Sequence, residues 1–320
     1  MPTGSFDTDV AMLRAAESVR LRPDVIDPWL AYQSAVESYS NRLLTDQSDA
    51  LDAFTGILRT IFGQWHVQGL PVALFDKALL WQLDGHHHRR SGFASWSWVG
   101  WNGRVRWLRS SRSGLNKGAP EVRTWIAWYS TSDVNCDTSA VLTYGPPQLR
   151  CPVVTRTARS RLFDGNFRIQ DPTPGLLSQR LQQNGRSAPR GLNFLQFWTF
   201  VLRAEIKLDP LAVLKNSSLH AENTGNGLRK FTIFAEHDRH FGWILLDQSW
   251  IGKLVSQPRK CQEFILLSEI DGGEVGSSEH VFNAMMVIWA NGFMERAGLG
   301  QIFEGRIGHS DVEWKEIILA

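Results

Sequence analysis

Two histidine clusters hold the residue types best suited to chemistry. His86, His87 and His88 stand in a row, and imidazole is both a common zinc ligand and the usual proton carrier near neutral pH. Three consecutive side chains diverge on a strand or a helix, so they do not converge on one ion. Zinc sites draw on spaced ligands. The expectation is a polar loop over residues 84–90 with solvated imidazoles. His237, Asp238 and His240 form the second cluster, at a turn. His-x-x-His can take a metal, and Asp238 could orient an imidazole base. No cysteine or distant ligand accompanies them, so no catalytic, cofactor-binding or metal-ligating residue is assigned, and no cofactor is expected.

A third set mixes charge with flat rings. Arg104, Arg106, Arg109, Arg112 and Lys117 lie between Arg89 and Arg123, interleaved with Trp96, Trp98, Trp101 and Trp107, and Glu121 is the only acid in that interval. Cations beside exposed rings hold single-stranded nucleic acid. Buried, the same rings fill a core, and the arginines stay solvated or stack on them. Indole removes much apolar area from water, and no RNA-binding motif accompanies the charge, so burial is expected. Other patterns fail on inspection. Gly298-Leu299-Gly300 lacks the Lys-Ser/Thr ending of a phosphate loop, Asp271-Gly272-Gly273-Glu274 reads as a turn rather than an EF-hand, and no Gly-x-Ser-x-Gly elbow is present.

The elements that must carry these residues fall into two parts. Asp27-Pro28 is a helix start, a capping side chain followed by proline. Trp29, Ala31, Tyr32, Ala35, Val36 and Tyr39 supply its apolar stripe. Thr45 or Ser48 can cap a second helix, in which Ala50, Leu51, Phe54, Ile57, Leu58, Ile61 and Phe62 recur at helical spacing and Gly63 is a stop. A third helix fits residues 71–83. Then the period changes to two. Ser95-Trp96-Ser97-Trp98-Val99-Gly100-Trp101 reads as a strand, Asn102-Gly103 as a tight turn, and residues 104–108 as the returning strand. Strand-like runs follow at 122–129, 195–202, 204–208, 231–234, 242–247, 261–270, 284–289 and 314–319, with Asn291-Gly292 as another hairpin turn. Such runs separated by turn residues argue for a sandwich or barrel.

Several segments resemble the region that follows the heterokaryon-incompatibility (HET) domain in fungal HET-domain proteins. The run Tyr39-Ser40-Asn41-Arg42-Leu43-Leu44-Thr45 and the stretch from Asp49 to Ile57 match in order. So do Leu70-Pro71, Leu79-Leu80-Trp81 and the Ser-Trp-Ser-Trp motif at Ser95 with its glycine, Gly100. Near the end come Gly242-Trp243-Ile244-Leu245-Leu246-Asp247, Glu263-Phe264-Ile265-Leu266-Leu267-Ser268, Glu295-Arg296-Ala297-Gly298-Leu299-Gly300 and Trp314-Lys315-Glu316-Ile317-Ile318-Leu319. Ala94 stands where the family often has proline. The resemblance implies fungal nonself recognition ending in incompatibility and cell death. It transfers no catalytic residue, because the HET domain itself has no counterpart in the residues before Asp27.

The whole predicts an α+β protein: a loosely ordered leader over 1–26, a helical layer over 27–90, and a mostly antiparallel β-region over 91–320 with a loop-rich stretch at 130–190. One cooperative unit is expected, since the Trp-rich stretch joins the two parts. The net charge of +2 is too small to argue for a polyanion across the whole chain. No apolar run approaches the ~18 residues of a membrane helix. Three cysteines without CxxC spacing read as reduced thiols in a cytoplasmic protein. The expected function is a non-enzymatic accessory or recognition region working through protein partners, with no membrane and no nucleic acid. The alternative is a β-sandwich module that takes carbohydrate or single-stranded nucleic acid on exposed Trp and Arg.

Overall fold

The computed structural model describes residues 27–42, 44–63, 66–71, 74–107, 122–128, 142–143, 194–208, 228–234, 239–247, 250, 253, 256, 261–270, 281–290, 293–303, 307 and 312–320. The leader over 1–26, nearly all of 130–190, the turn at 271–274, His237, Asp238, Cys136 and Cys151 lie outside them.

Helix α1 (Pro28–Ser40) begins as its sequence predicts: the Asp27 carboxylate accepts from the Trp29 amide at 2.9 Å. Tyr32, Val36 and Tyr39 form its buried edge. A 3-10 turn (Gln47–Ala50), capped by Asp46, which accepts from Ser48 N, precedes α2 (Asp52–Phe62); α2 begins after Leu51 with no side-chain cap, so neither Thr45 nor Ser48 caps it. Phe54, Leu58 and Phe62 face inward on α2, whereas Ile57 is exposed. Gly63 ends α2 at φ 73°, the left-handed conformation that favours glycine.

The next segment departs from expectation. Strands β1 (His66–Val67) and β2 (Leu70–Pro71) form a small hairpin through Gln68 and Gly69, both at positive φ. The third helix shrinks to a single turn, α3 (Phe75–Ala78). Strand β3 (Trp81–Arg89) then replaces both the end of that helix and the polar loop at 84–90, so the three histidines stand on a strand. Its partner is β4 (Trp101–Trp107), in which Asn102 and Gly103 lie within the strand. Trp81 pairs with Trp107 and Leu83 with Val105. Cross-strand packing of these residues outweighs the local turn preference of Asn-Gly. The Trp-rich hairpin therefore turns around residues 90–100, not at Asn102-Gly103.

The β-region is a ten-stranded sheet that closes on itself. Its shorter members are β5 (Val122–Thr124), β6 (Ala127–Trp128) and β7 (Leu142–Thr143). Its main strands are β8 (Phe194–Leu208), β9 (Leu228–Phe234), β10 (His240–Asp247), β11 (Gln262–Ile270), β12 (Val281–Ala290), β13 (Phe293–Phe303) and β14 (Val312–Leu319). From β8 the pairing runs to β9, β10, β13, β12 and β11, and returns to β8, antiparallel throughout. Strand β14 lies antiparallel along β8 and meets β13 in parallel at Met294 and Leu319. The architecture is thus α+β, with a barrel as the β-part. Closure removes the exposed edges that a flat sheet would leave.

Alternation along β8 shows what each face does. Phe200, Leu202, Ala204 and Ile206 point into the barrel with Phe231, Ile244, Phe264, Phe282 and Met286. Leu195, Phe197 and Val201 point outward, and with Ile265, Leu267, Met285 and Ile317 they join one apolar cluster with Tyr32, Phe54, Trp96 and Trp98 of the outer layer. The helices therefore cover one outer flank of the barrel. Among the described residues no helix is long and apolar enough to cross a membrane.

Glycine makes closure possible where β10 meets β13. A Cβ on Gly300 would lie 2.1 Å from the Trp243 carbonyl oxygen, and one on Gly242 would lie 2.1 Å from that of Gln301. Gly300→Ala is expected to cost about 3 kcal/mol or more, because the obstacle is backbone. Gly56→Ala on α2, with nothing within 4 Å, is expected to gain about 0.5–1 kcal/mol. Urea unfolding of the two variants checks both signs.

Glu316 shares the face of β14 that carries Trp314 and is 8% exposed. Burial pushes its carboxyl up to about 7 from 4.5. Between those values the native state keeps a proton that the unfolded chain has released. Its contribution to stability is therefore present at low pH and is lost as pH rises from 4.5 to about 7. Glu316→Gln is expected to match the parent at pH 4 and to exceed it by about 2–3 kcal/mol at pH 8, read from urea midpoints.

Candidate functional site: the Ser-Trp-Ser-Trp joint

The motif forms an irregular turn between the two parts, not a strand, and each of its four side chains serves a different neighbour. Ser95 reaches the barrel: its amide donates to the Ala320 carbonyl at 2.9 Å, its hydroxyl donates to the same oxygen, and it accepts from the Arg296 amide at 3.0 Å. The Trp96 ring is fully buried and lies 6.0 Å from Phe75, while its carbonyl accepts from the Trp81 indole at 2.9 Å. Ser97 donates to the Gln68 carbonyl at 2.5 Å and accepts from the Val99 amide at 3.1 Å, which starts the 3-10 turn Trp98–Gly100. The Trp98 indole donates to the Tyr32 hydroxyl at 3.1 Å and to the Gly69 carbonyl at 3.2 Å. Its ring meets Phe54 edge-on at 4.9 Å and Tyr39 at 6.1 Å. Tyr32 in turn donates to Gly69 at 2.9 Å, and burial pushes its phenol far above the ordinary range.

A buried turn leaves carbonyls without a ladder, and arginines take them up. Arg90 donates to Val99 at 3.0 Å, to Trp101 at 2.7 Å and to the Gln47 side chain at 2.6 Å. Arg89 donates to Gly100 and, at 2.9 Å, to Phe93, and lies 5.0 Å above the Trp101 ring. Arg296, from the barrel strand β13, donates to Leu79 at 2.8 Å and to Trp81, and stacks 3.7 Å above the Trp81 ring. It is 4% exposed, and burial lowers its guanidinium to about 9. At neutral pH it is a charged group set among carbonyl dipoles and an indole face.

The structure divides the predicted residues. Trp96, Trp98 and Trp107 are buried and Trp101 is half-buried, so the rings are interior. Arg104 and Arg106 both turn to Asp84, at 3.8 and 2.6 Å. Arg109, Arg112 and Lys117 lie outside the described residues. His87 is packed, not solvated: its side chain is 7% exposed, 3.6 Å from the Asp247 carboxylate of β10 and against Trp101. His88 meets Asn102 across the strand pair at 3.1 Å. His240 engages the Gly242 carbonyl at 3.0 Å, away from His87. Among the described residues no three His, Cys, Asp or Glu side chains gather as a metal site would require. Gly298 and Gly300 sit in β13, a strand the sequence pattern does not predict.

Sequence reasoning missed Arg296 and the Gln68–Gly69 turn. Gly69 between short apolar runs was a legible turn signal. Arg296 had none, since its burial depends on β13 returning beneath β3. The assembled geometry welds a loop, two strands and a helix into a fixed joint.

Replacing Trp98 by Phe keeps the ring packing but removes the indole donor, with an expected loss of about 1–2 kcal/mol. Tyr32→Phe is expected to cost about the same, and the two losses should be non-additive by at least ~0.5 kcal/mol because both donors share Gly69 O. A double-mutant cycle in urea reads the coupling. Arg296→Leu strands the Leu79 and Trp81 carbonyls and is expected to cost about 3 kcal/mol.

Comparison with protein-family models, curated proteins and solved structures found no match to this chain.

Proposed function

We propose that this chain is a non-enzymatic accessory or recognition region of a HET-type fungal nonself-recognition protein, acting in the cytoplasm through contacts with other proteins. The motifs that resemble the family run in one order from Tyr39 to Leu319. The observation that carries the reading is the burial of Trp96 and Trp98, both 0% exposed, with their rings and Ser-Trp backbone committed to other parts of the chain. A motif used this way holds two parts of a scaffold together, and a scaffold presents surfaces to partners rather than chemistry to a substrate. Stacking carbohydrate or nucleic acid on these same rings would need faces open to water, which they lack.

A filamentous fungus carrying the genes under an inducible promoter tests this. The chain expressed alone is expected to leave growth unaffected. A HET domain fused ahead of Asp27 is expected to trigger growth arrest that Trp98→Ala abolishes without lowering the level of fused protein. Arrest by the chain alone, or fusion-driven arrest indifferent to Trp98→Ala, would sink the proposal.

A further inference from the structure

The outer face of the barrel carries a second aromatic feature at the end of β12. Among the described residues Trp289 is the one exposed tryptophan, with 49% of its surface open. It lies at the end of β12, two residues beyond Val287, which is already in the cluster under the helical layer. On the same outer face Val287 pairs with Glu263 of β11, and Glu263 pairs with Arg203 of β8. The ring is held: its indole N–H donates to Glu263 Oε2 at 3.0 Å. The other oxygen of Glu263 takes Arg203 at 3.2 Å and Lys315 of β14 at 3.6 Å. Burial works against the Glu263 charge, but the Trp289 indole, Lys315 and Arg203 outweigh it and hold the carboxyl below its ordinary value.

This grouping has the parts of a sugar platform. An indole face is flat, apolar and electron-rich, and a pyranose ring offers it a face of C–H bonds. Around the rim a pyranose needs donors and acceptors for its hydroxyls. The Arg203 side chain is 66% exposed and spends one of its five N–H donors on Glu263. Lys315, at 3.6 Å an ion-pair partner of Glu263 rather than a hydrogen-bond donor to it, has three donors, and a carboxylate accepting two hydrogen bonds retains acceptor directions. Among the described residues of this group the charges balance: Arg203 and Lys315 stand against Glu263 and the exposed Glu313, two residues before Lys315 on the same face of β14. A balanced set does not attract a polyphosphate or an acidic peptide, and suits an uncharged, hydroxyl-rich ligand. The hydrogen bond to Glu263 also fixes the ring before any ligand arrives, which lowers the ordering cost of binding.

We propose that Trp289, with Glu263, Arg203 and Lys315, forms a binding site for a neutral oligosaccharide, the indole stacking on one sugar ring and the charged side chains bonding its hydroxyls. The site stands independently of the nonself-recognition reading. One sugar ring on one indole implies weak binding, about millimolar.

The full chain labelled with 5-fluorotryptophan gives a fluorine resonance for each indole, and Trp289→Phe assigns the one at 289. Cellohexaose, chitohexaose and xylohexaose are titrated separately, with a thymidine dodecamer and a poly-Glu peptide as the charged comparators. The Trp289 resonance is expected to shift saturably with at least one hexasaccharide and with neither charged probe, while the resonances of Trp96 and Trp98 stay in place. By calorimetry Trp289→Ala is expected to weaken that binding at least ~10-fold and Arg203→Ala about 3-fold, with unchanged unfolding midpoints. No response to 10 mM of any hexasaccharide overturns the proposal. So does equal binding by Trp289→Ala, or a Trp289 shift caused by a charged probe alone.

Discussion

The structure depends on satisfying the backbone of a turn that is buried between two layers. Residues 94–100 are all buried, yet they form no sheet ladder. Each carbonyl and amide left in such a place costs about 1–3 kcal/mol unless it finds a partner. Apart from the 3-10 bonds within Ser97–Gly100, the partners come from outside the turn. Trp81, Trp101, Arg89 and Arg90 approach from β3 and β4, Arg296 N and Ala320 from the barrel, and Gln68 from the small hairpin. This explains why Ser and Trp alternate in the motif. The short hydroxyls serve backbone groups close by, and the long indoles reach backbone groups or apolar neighbours farther away. The alternation mimics the period of a strand without being one.

The same constraint ties the helical layer to the barrel. Gly69 offers one carbonyl to both Tyr32 and Trp98, so α1, the β1–β2 hairpin and the motif meet at a single oxygen. A Cβ at Gly69 would come within 2.7 Å of Val99, and the residue is at φ 82°, so glycine is required there twice over. On the barrel side the close passage of β10 past β13 at Gly242 and Gly300 lets the sheet curl until its ends pair. Closure then gives β8 its two faces, one for the barrel interior and one for the layer outside. The joint and the barrel thus need each other. Arg296 can donate to Leu79 and Trp81 only because β13 runs beneath β3.

Much of this was legible in the residues. The start of α1 at Asp27-Pro28, the stop of α2 at Gly63 and the two-residue alternation of β8, β10, β11 and β14 are local signals, and local signals survive in the fold. The α+β class followed from them. What failed was decided by distant contacts. Residues 81–83 carry a helix-like apolar pattern, yet pairing with β4 makes them strand. Asn102-Gly103 is a turn sequence, yet it stays within β4, with Asn102 opposite His88, Arg104 opposite Asp84 and β3 bulging between those two partners. The three histidines looked solvated for the same reason, and His87 is packed because β3 exists. Strand β13 was read as motif and turn residues, since its glycines hid a strand whose close neighbour is another backbone. The burial of the Trp rings was expected from area alone. Their hydrogen-bond partners were not, because Gln68, Gly69, Ala320 and Arg296 lie far off in sequence.

Arg296 shows what kind of joint this is. A buried cation with carbonyl partners loses much hydration, and the lowering of its guanidinium to about 9 reflects that loss. A leucine and two repaired carbonyls would pack the same space at lower electrostatic cost. What the guanidinium adds is direction. Its planar fork spans Leu79 O and Trp81 O while its face lies on the Trp81 ring, so β3 can dock on β13 in one register only. A shift of one residue along β3 would turn the Trp81 ring to the opposite face and leave the guanidinium without its stacking partner. An apolar contact would tolerate sliding; this one does not. The outer layer is thereby held at a fixed position on the barrel, and whatever surfaces the two parts present are presented together.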